Sequence, residues 1–187
     1  MRLFIAADIT QRSRLLLNKK VKQFQKIIKQ DLKWIEAQKW HITLKFLGET
    51  NKSKLTLLDN LLIKSIKNTD EFTLNINDIS AFPDLKYPRV LFVSIDRGVS
   101  KLKKIHNQVD KQLSSAGFEP DDRNYVPHLT LARTYKQTDR KELAEKIKRI
   151  KQDYNLNIYS PISQIHLYQS KLMPDGPLYK KINSYSL

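Results

Sequence analysis

Two of the chain's four histidines head matching tetrapeptides 87 positions apart, His41-Ile42-Thr43-Leu44 and His128-Leu129-Thr130-Leu131. Each tetrapeptide alternates polar and apolar residues, the pattern of a strand with one buried face. His and Thr therefore share one face, while Ile42/Leu44 and Leu129/Leu131 take the other. One imidazole can accept a proton, and two that face each other can divide acid and base work. With an unperturbed pKa of about 6.5, one ring can be neutral while its partner is protonated. The neutral ring would take a proton from attacking water, and the charged ring would protonate the leaving oxygen of a phosphodiester. Thr43 and Thr130 could donate hydroxyl hydrogen bonds to the non-bridging oxygens as charge builds there. Either histidine alone reads as structural, whereas the matched pair with Thr at +2 reads as functional. This chemistry calls for no metal and no cofactor.

Other side chains are weighed against the same face. Strand parity brings Lys45 beside His41, where it could neutralise phosphate; its plain alternative is an exposed strand lysine. Arg133 has the opposite parity from His128 and would reach the same face only if the strand ends or bulges after Leu131; its plain alternative is an edge or surface charge. Tyr125, in a polar loop just before His128, is the preferred base-stacking residue among Phe46, Phe82, Tyr87, Phe92 and itself. His106, four residues before Asp110, reads as a surface i,i+4 contact, and His166 as an ordinary strand residue. No Walker loop, His-Glu-x-x-His or Gly-x-Ser-x-Gly motif occurs. Four glycines leave little for phosphate-cradling loops, and the absence of cysteine removes disulfides, thiolate zinc sites and cysteine nucleophiles.

The surrounding elements repeat as well. A short strand at Leu3 to Ile9 precedes a helix near residues 11 to 30, with Leu17, Val21, Phe24 and Ile28 at helical spacing. A strand at Val90 to Ile95 precedes a helix near 99 to 116, carrying Leu102, Ile105, Val109, Leu113 and Ala116 and closed by Gly117. After the first motif, Leu55, Leu58, Leu62 and Ile66 lead to a strand at Phe72 to Ile79. After the second, Leu143, Ile147 and Ile150 lead to a strand at Tyr154 to Tyr159. Leu74-Asn75-Ile76 even recurs as Leu156-Asn157-Ile158. The order strand, helix, motif strand, helix, strand, twice over, reads as one α+β domain over residues 1–187. Its internal repeat spans approximately residues 1–83 and 88–187, divided near Phe82 to Arg89 where Pro83 and Pro88 break the pattern. The expectation is a bilobal fold with two antiparallel sheets around a central cleft, flanking helices and a pseudo-twofold axis, the histidine faces lining the cleft. Ser170 to Leu187, with its Pro174-Asp175-Gly176-Pro177 turn, is expected to fold back as a hairpin or final strand.

A chain of 187 residues can bury a core without disulfide or metal staples. No apolar run approaches the roughly 20 residues of a membrane span, and the opening segment reads as a strand rather than a signal peptide. A cytoplasmic monomer without an obligate protein partner is expected. Thirty-four basic against nineteen acidic residues give a formal charge of +15, which favours phosphate-rich partners. The lysines are spread through every expected helix, so a solvated basic surface is the plain alternative.

With these residues in place, the chain strongly resembles the two-histidine phosphoesterase superfamily, and within it the RNA 2′,3′-cyclic phosphodiesterases, also described as 2′-5′ RNA ligases. The match covers nearly the whole chain. It includes Arg2-Leu3-Phe4-Ile5-Ala6, Trp40 through Glu49, Pro88-Arg89-Val90-Leu91-Phe92, Tyr125 through Arg133, and Ser170-Lys171-Leu172 with Pro174, Gly176 and Tyr179. The resemblance implies the bilobal α+β fold and metal-independent opening of an RNA 2′,3′-cyclic phosphate to a 2′-phosphate. It implies that His41 is the proton donor to the departing 3′ oxygen, that His128 is the acceptor that activates water, and that Arg133 assists phosphate binding. Cyclic-ended RNA, such as tRNA fragments, or cyclic nucleotides would be the partners, with reverse 2′-5′ ligation as a second outcome. The alternatives are a 2′,5′-oligonucleotide phosphodiesterase and a non-catalytic RNA- or nucleotide-binding module. Two departures, Asp8-Ile9-Thr10 in place of a proline-bearing segment and Arg123-Asn124-Tyr125 in place of Arg-Pro-Phe, bear on the cleft entrance and leave the histidines untouched.

Overall fold

Residues 1–29, 32–174 and 176–187 are described by a computed structural model. Gln30, at the end of the expected first helix, and Asp175, in the expected turn, lie outside them. The elements run β1 (Arg2–Ala7), α1 (Gln11–Ile27), β2 (Leu32–Trp34), β3 (Ile42–Glu49), α2 (Leu55–Ile66), β4 (Phe72–Phe82), β5 (Val90–Ile95), α3 (Val99–Ser114), β6 (His128–Thr134), α4 (Arg140–Asp153), β7 (Ile158–Ile162), β8 (Gln164–Met173) and β9 (Gly176–Ser186).

Local chemistry sets the helix ends. The Thr10 hydroxyl accepts from Ser13 N at the start of α1, and the Asp139 carboxylate accepts from Lys141 N and Glu142 N at the start of α4. Such caps satisfy backbone donors that the helix itself leaves free. Gly98 opens α3 at φ 87°, and a β-carbon there would come within 2.6 Å of the Leu74 side chain, so only glycine fits. Each helix buries one stripe: Leu17, Val21 and Phe24 in α1, Leu102, Ile105, Val109 and Leu113 in α3.

The strands form two antiparallel sheets, ordered β3-β1-β8-β9 and β2-β6-β5-β4-β7. In each, a motif strand lies beside a central strand, β1 or β5, whose far neighbour comes from the other half of the chain: β8 beside β1, β4 beside β5. Helices α2 and α3 pack together with α3 against β3, while α1 contacts β7 and α4 contacts β4. The outer face of each sheet is thus covered by one helix from each half, leaving the inner faces to form the cleft. The recurring Leu74-Asn75-Ile76 and Leu156-Asn157-Ile158 are neighbours in this fold, since β4 pairs directly with β7 and Ile76 opposes Ile158. The strand across the cleft that corresponds to β4 in sheet order is β8, and β7 begins four residues later than the expected strand.

Register explains the two motif strands. Ile5 opposes Lys45 and Ala6 opposes Thr43, so β3 carries an extra residue at Leu44; Leu91 opposes Ala132 and Phe92 opposes Thr130, so β6 carries one at Leu131. Both bulges reverse side-chain parity beyond them. Leu44 and Lys45 are consequently both buried, as are Leu131 and Ala132, and Phe46 and Arg133 return to the faces of their histidines.

Candidate active site

His41 and His128 end up on one cleft because the chain crosses between sheets within a few residues. β2 pairs with β6, Ile35 N donates to Leu131 O at 2.8 Å, and the chain then passes through Trp40 into β3. Trp40 is buried with its indole N–H on Ile35 O at 3.0 Å, and Arg14 from α1 donates to Ala37 O and Trp40 O. The segment that carries His41 is therefore tied both to α1 and to the strand of His128.

The resulting cavity has a volume of about 480 Å³ and is lined by both His-x-Thr pairs, Arg2, Lys39, Arg133 and Phe46. None of the described residues lining it is acidic. The polar groups that a phosphate would meet there are cations, hydroxyls and imidazoles, set among apolar side chains such as Leu3, Phe4 and Ile35.

Each imidazole is oriented in the same way. His41 Nδ1 lies 2.8 Å from Lys39 O, and His128 Nδ1 lies 2.7 Å from Val126 O. A carbonyl only accepts, so Nδ1 carries the proton in both rings and Nε2 is the atom free to exchange one. Aromatic rings hold the imidazoles from behind: Phe4 and Tyr179 lie 4.9 and 5.2 Å from His41, Phe82 and Phe92 5.0 and 5.1 Å from His128. Burial pushes the pKa of each histidine below 6.5, opposed by the carbonyl hydrogen bond. Asp8 raises that of His41, with Arg14 and His128 lowering it, whereas Arg133 further lowers that of His128.

The other sequence candidates divide. Thr43, Thr130 and Arg133 share the cleft with the histidines, the last through the β6 bulge at Leu131. Lys45 does not face it. The β3 bulge turns it inward to 1% exposure, where its ammonium donates to Asp110 at 2.6 Å and Glu119 O at 2.8 Å, with Asp121 3.6 Å away. Tyr125 is no open stacking platform: its hydroxyl donates to Thr43 O at 3.0 Å and its ring stacks on His106 at 4.2 Å. His106 in turn is buried rather than a surface contact, and donates from Nδ1 to Leu44 O at 2.8 Å. Together these groups fasten the loop before His128 to the strand of His41, and they border a second cavity of about 560 Å³ beyond Thr43. Tyr87 is remote, under the Arg140 guanidinium, whereas Phe46 is 67% exposed at the cleft. Sequence reasoning missed Arg2, Phe4 and Tyr179 as site residues, although Arg2 and Phe4 share one face of β1 and that parity could have found them. Among the described residues, no three His, Cys, Asp or Glu side chains group as a metal-binding set.

Comparison with known proteins follows this geometry. Residues 17–172 match the model of the 2′-5′ RNA ligase superfamily. An RNA 2′,3′-cyclic phosphodiesterase of Methanocaldococcus jannaschii is 34% identical over 99% of this chain and 100% of its own. One from Aquifex aeolicus is 33% identical over 83% of this chain and 81% of its own. Among solved structures, a Thermus thermophilus protein superimposes with a TM-score of 0.81 at 21% identity, covering 100% of this chain and 98% of that one. Escherichia coli LigT complexed with 3′-AMP gives 0.77 at 22% identity, covering 100% and 97%. These two establish the shared fold. The chain belongs to the 2′-5′ RNA ligase superfamily.

Proposed function

We propose that this chain is an RNA 2′,3′-cyclic phosphodiesterase that opens cyclic phosphate ends to 2′-phosphomonoesters without a metal. The observation that carries the reading is the pair of imidazoles, each with Nδ1 committed to a carbonyl and Nε2 free, on one cation-lined cleft. Full-length relatives that bear this activity in their names support it. His128 Nε2 takes a proton from water, the hydroxide attacks phosphorus, and His41 Nε2–H gives its proton to the departing 3′ oxygen. Thr43, Thr130 and Arg133 hold the non-bridging oxygens as charge accumulates. With an RNA 5′-hydroxyl in place of water, the same steps yield a 2′-5′ linkage.

We further read residues 1–83 and 88–187 as an internal duplication within one domain, supported by the matching strand orders β3-β1-β8 and β6-β5-β4. The protein is read as a cytoplasmic monomer; no helix among the described residues is long and apolar enough to cross a membrane.

The test is product analysis on an oligoribonucleotide with a 2′,3′-cyclic end, in excess EDTA. Conversion to a 2′-phosphate end is expected. Loss of all turnover with EDTA would overturn the metal-free mechanism, and preferential cleavage of a 2′-5′-linked oligonucleotide would favour the alternative phosphodiesterase.

A further inference from the structure

The cleft face of the first sheet carries a second polar cluster just past β1. Ala7 opposes Ile42, so Asp8 stands beside His41 across the strand pair. Asp8 Oδ2 accepts from the Tyr168 hydroxyl at 2.6 Å and from Lys181 Nζ at 3.1 Å, and lies 3.6 Å from His166 Nε2. Tyr168 stacks on Phe4 at 5.2 Å, and its ring centroid is 6.3 Å from that of His41. A carboxylate held by two donors is thus joined to the His41 ring through the Phe4 and Tyr168 rings. The groups around His128 differ: Phe82, Phe92 and the Arg133 guanidinium.

We propose that Asp8 is the positioning residue that makes His41, rather than His128, the acid of the pair. The inference rests on the two-histidine reading above. The two motifs are alike in sequence and in their carbonyl hydrogen bonds, so the division of labour must come from their surroundings. An anion beside one imidazole favours its protonated form, and a cation beside the other favours its neutral form. The charged and titratable groups around His41 are Arg14 from α1, Lys39 ahead of β3, Arg2 from β1, Tyr168 from β8, Tyr179 and Lys181 from β9, and His128 and Arg133 from β6. Among the described residues acting on His41, Asp8 is the carboxylate. Burial drives the Tyr168 hydroxyl to a pKa far above 10, so it remains a neutral donor that steadies the anion.

The experiment is an NMR titration of both imidazoles in the full chain, paired with pH–rate profiles. In Asp8→Asn the His41 midpoint should fall by at least about 0.5 unit, while that of His128 holds. On the basic limb kcat should fall about threefold, the factor that such a shift implies, with KM little changed. A purely structural role would lower Tm and leave the midpoint in place, so an unmoved His41 midpoint in folded Asp8→Asn overturns the proposal. Should Asp8→Asn not fold, Lys181→Ala removes a half-exposed cation from the carboxylate; the His41 midpoint should then rise, and an unchanged or lower value overturns the proposal. Wild-type turnover in His41→Ala would remove the two-histidine reading itself, an outcome separate from the Asp8 titration.

Discussion

His41 and His128 are each held by a carbonyl on Nδ1 and by packed aromatic rings, and the chemistry of the site follows from how that packing moves their protons. Burial is the largest influence on both and lowers both pKa values below 6.5. On the proposed mechanism the free enzyme requires His128 neutral and His41 charged. Activity therefore falls on the acid side as His128 gains a proton and on the basic side as His41 loses one. With both values lowered, kcat/KM for a cyclic nucleotide should trace a bell whose maximum lies below pH 6.5. A maximum above that value would show that burial does not govern the pair. His41→Ala and His128→Ala should each lower kcat by about 10²- to 10⁴-fold, the usual range for a positioned acid or base. Near-normal turnover in either variant would strike that residue from the mechanism.

At the scale of elements, the two bulges decide which residues the site owns. Lys45, turned inward by the β3 bulge, is paired with Asp110 of α3, and Asp110 also accepts from Asp121 N at 3.0 Å. Asp110→Ala would leave a buried ammonium with the Glu119 carbonyl and, as its nearest carboxylate, the more distant Asp121, so a loss of about 3 kcal/mol is expected in urea unfolding. Lys45→Met combined with Asp110→Ala should recover much of that loss; a double variant as unstable as the single one would refute the pairing argument. Burial pushes the Asp110 carboxyl up, yet the hydrogen bonds from Lys45 and the Asp121 amide hold it below 3.8. Its contribution is therefore complete above 3.8 and disappears as pH falls through the lower folded value, so the wild type should lose more stability on acidification than Asp110→Ala. These elements also mark where sequence stops being sufficient. Helices with stripes such as Leu17, Val21 and Phe24 are legible because 3.6-residue spacing survives any tertiary context. Parity along a strand is legible only while the strand is regular: Thr43 and Thr130 precede their bulges and share the faces of the histidines, whereas Lys45 follows one and turns inward. β2 has three residues, too few to show alternation, and its pairing with β6 is set by a long-range contact. The stack of Tyr125 on His106 and the bonds of both to β3 are likewise tertiary facts that no local spacing encodes.

For the whole molecule the governing quantity is the formal charge of +15 and where it meets the cleft. Lysines exposed on helix faces, such as Lys19, Lys22, Lys103 and Lys148, act at long range, speeding encounter with a polyanion without discriminating among sequences. Arg2, Lys39 and Arg133 differ, because they border the cavity that holds both histidines. A cyclic mononucleotide brings one phosphate to these groups, whereas an oligonucleotide extends further phosphates along the cleft margin. Each neutralised phosphate of a single strand releases counterions and contributes about −0.7 to the slope of log affinity against log salt. If all three cations engage an oligonucleotide, the slope of log(1/KM) should approach about −2, with a cyclic mononucleotide well below that in magnitude. Arg2→Gln should flatten the oligonucleotide slope by about 0.7. Equal salt slopes for the two substrates would mean that the basic surface only accelerates encounter, and that recognition is confined to the phosphate between the two imidazoles.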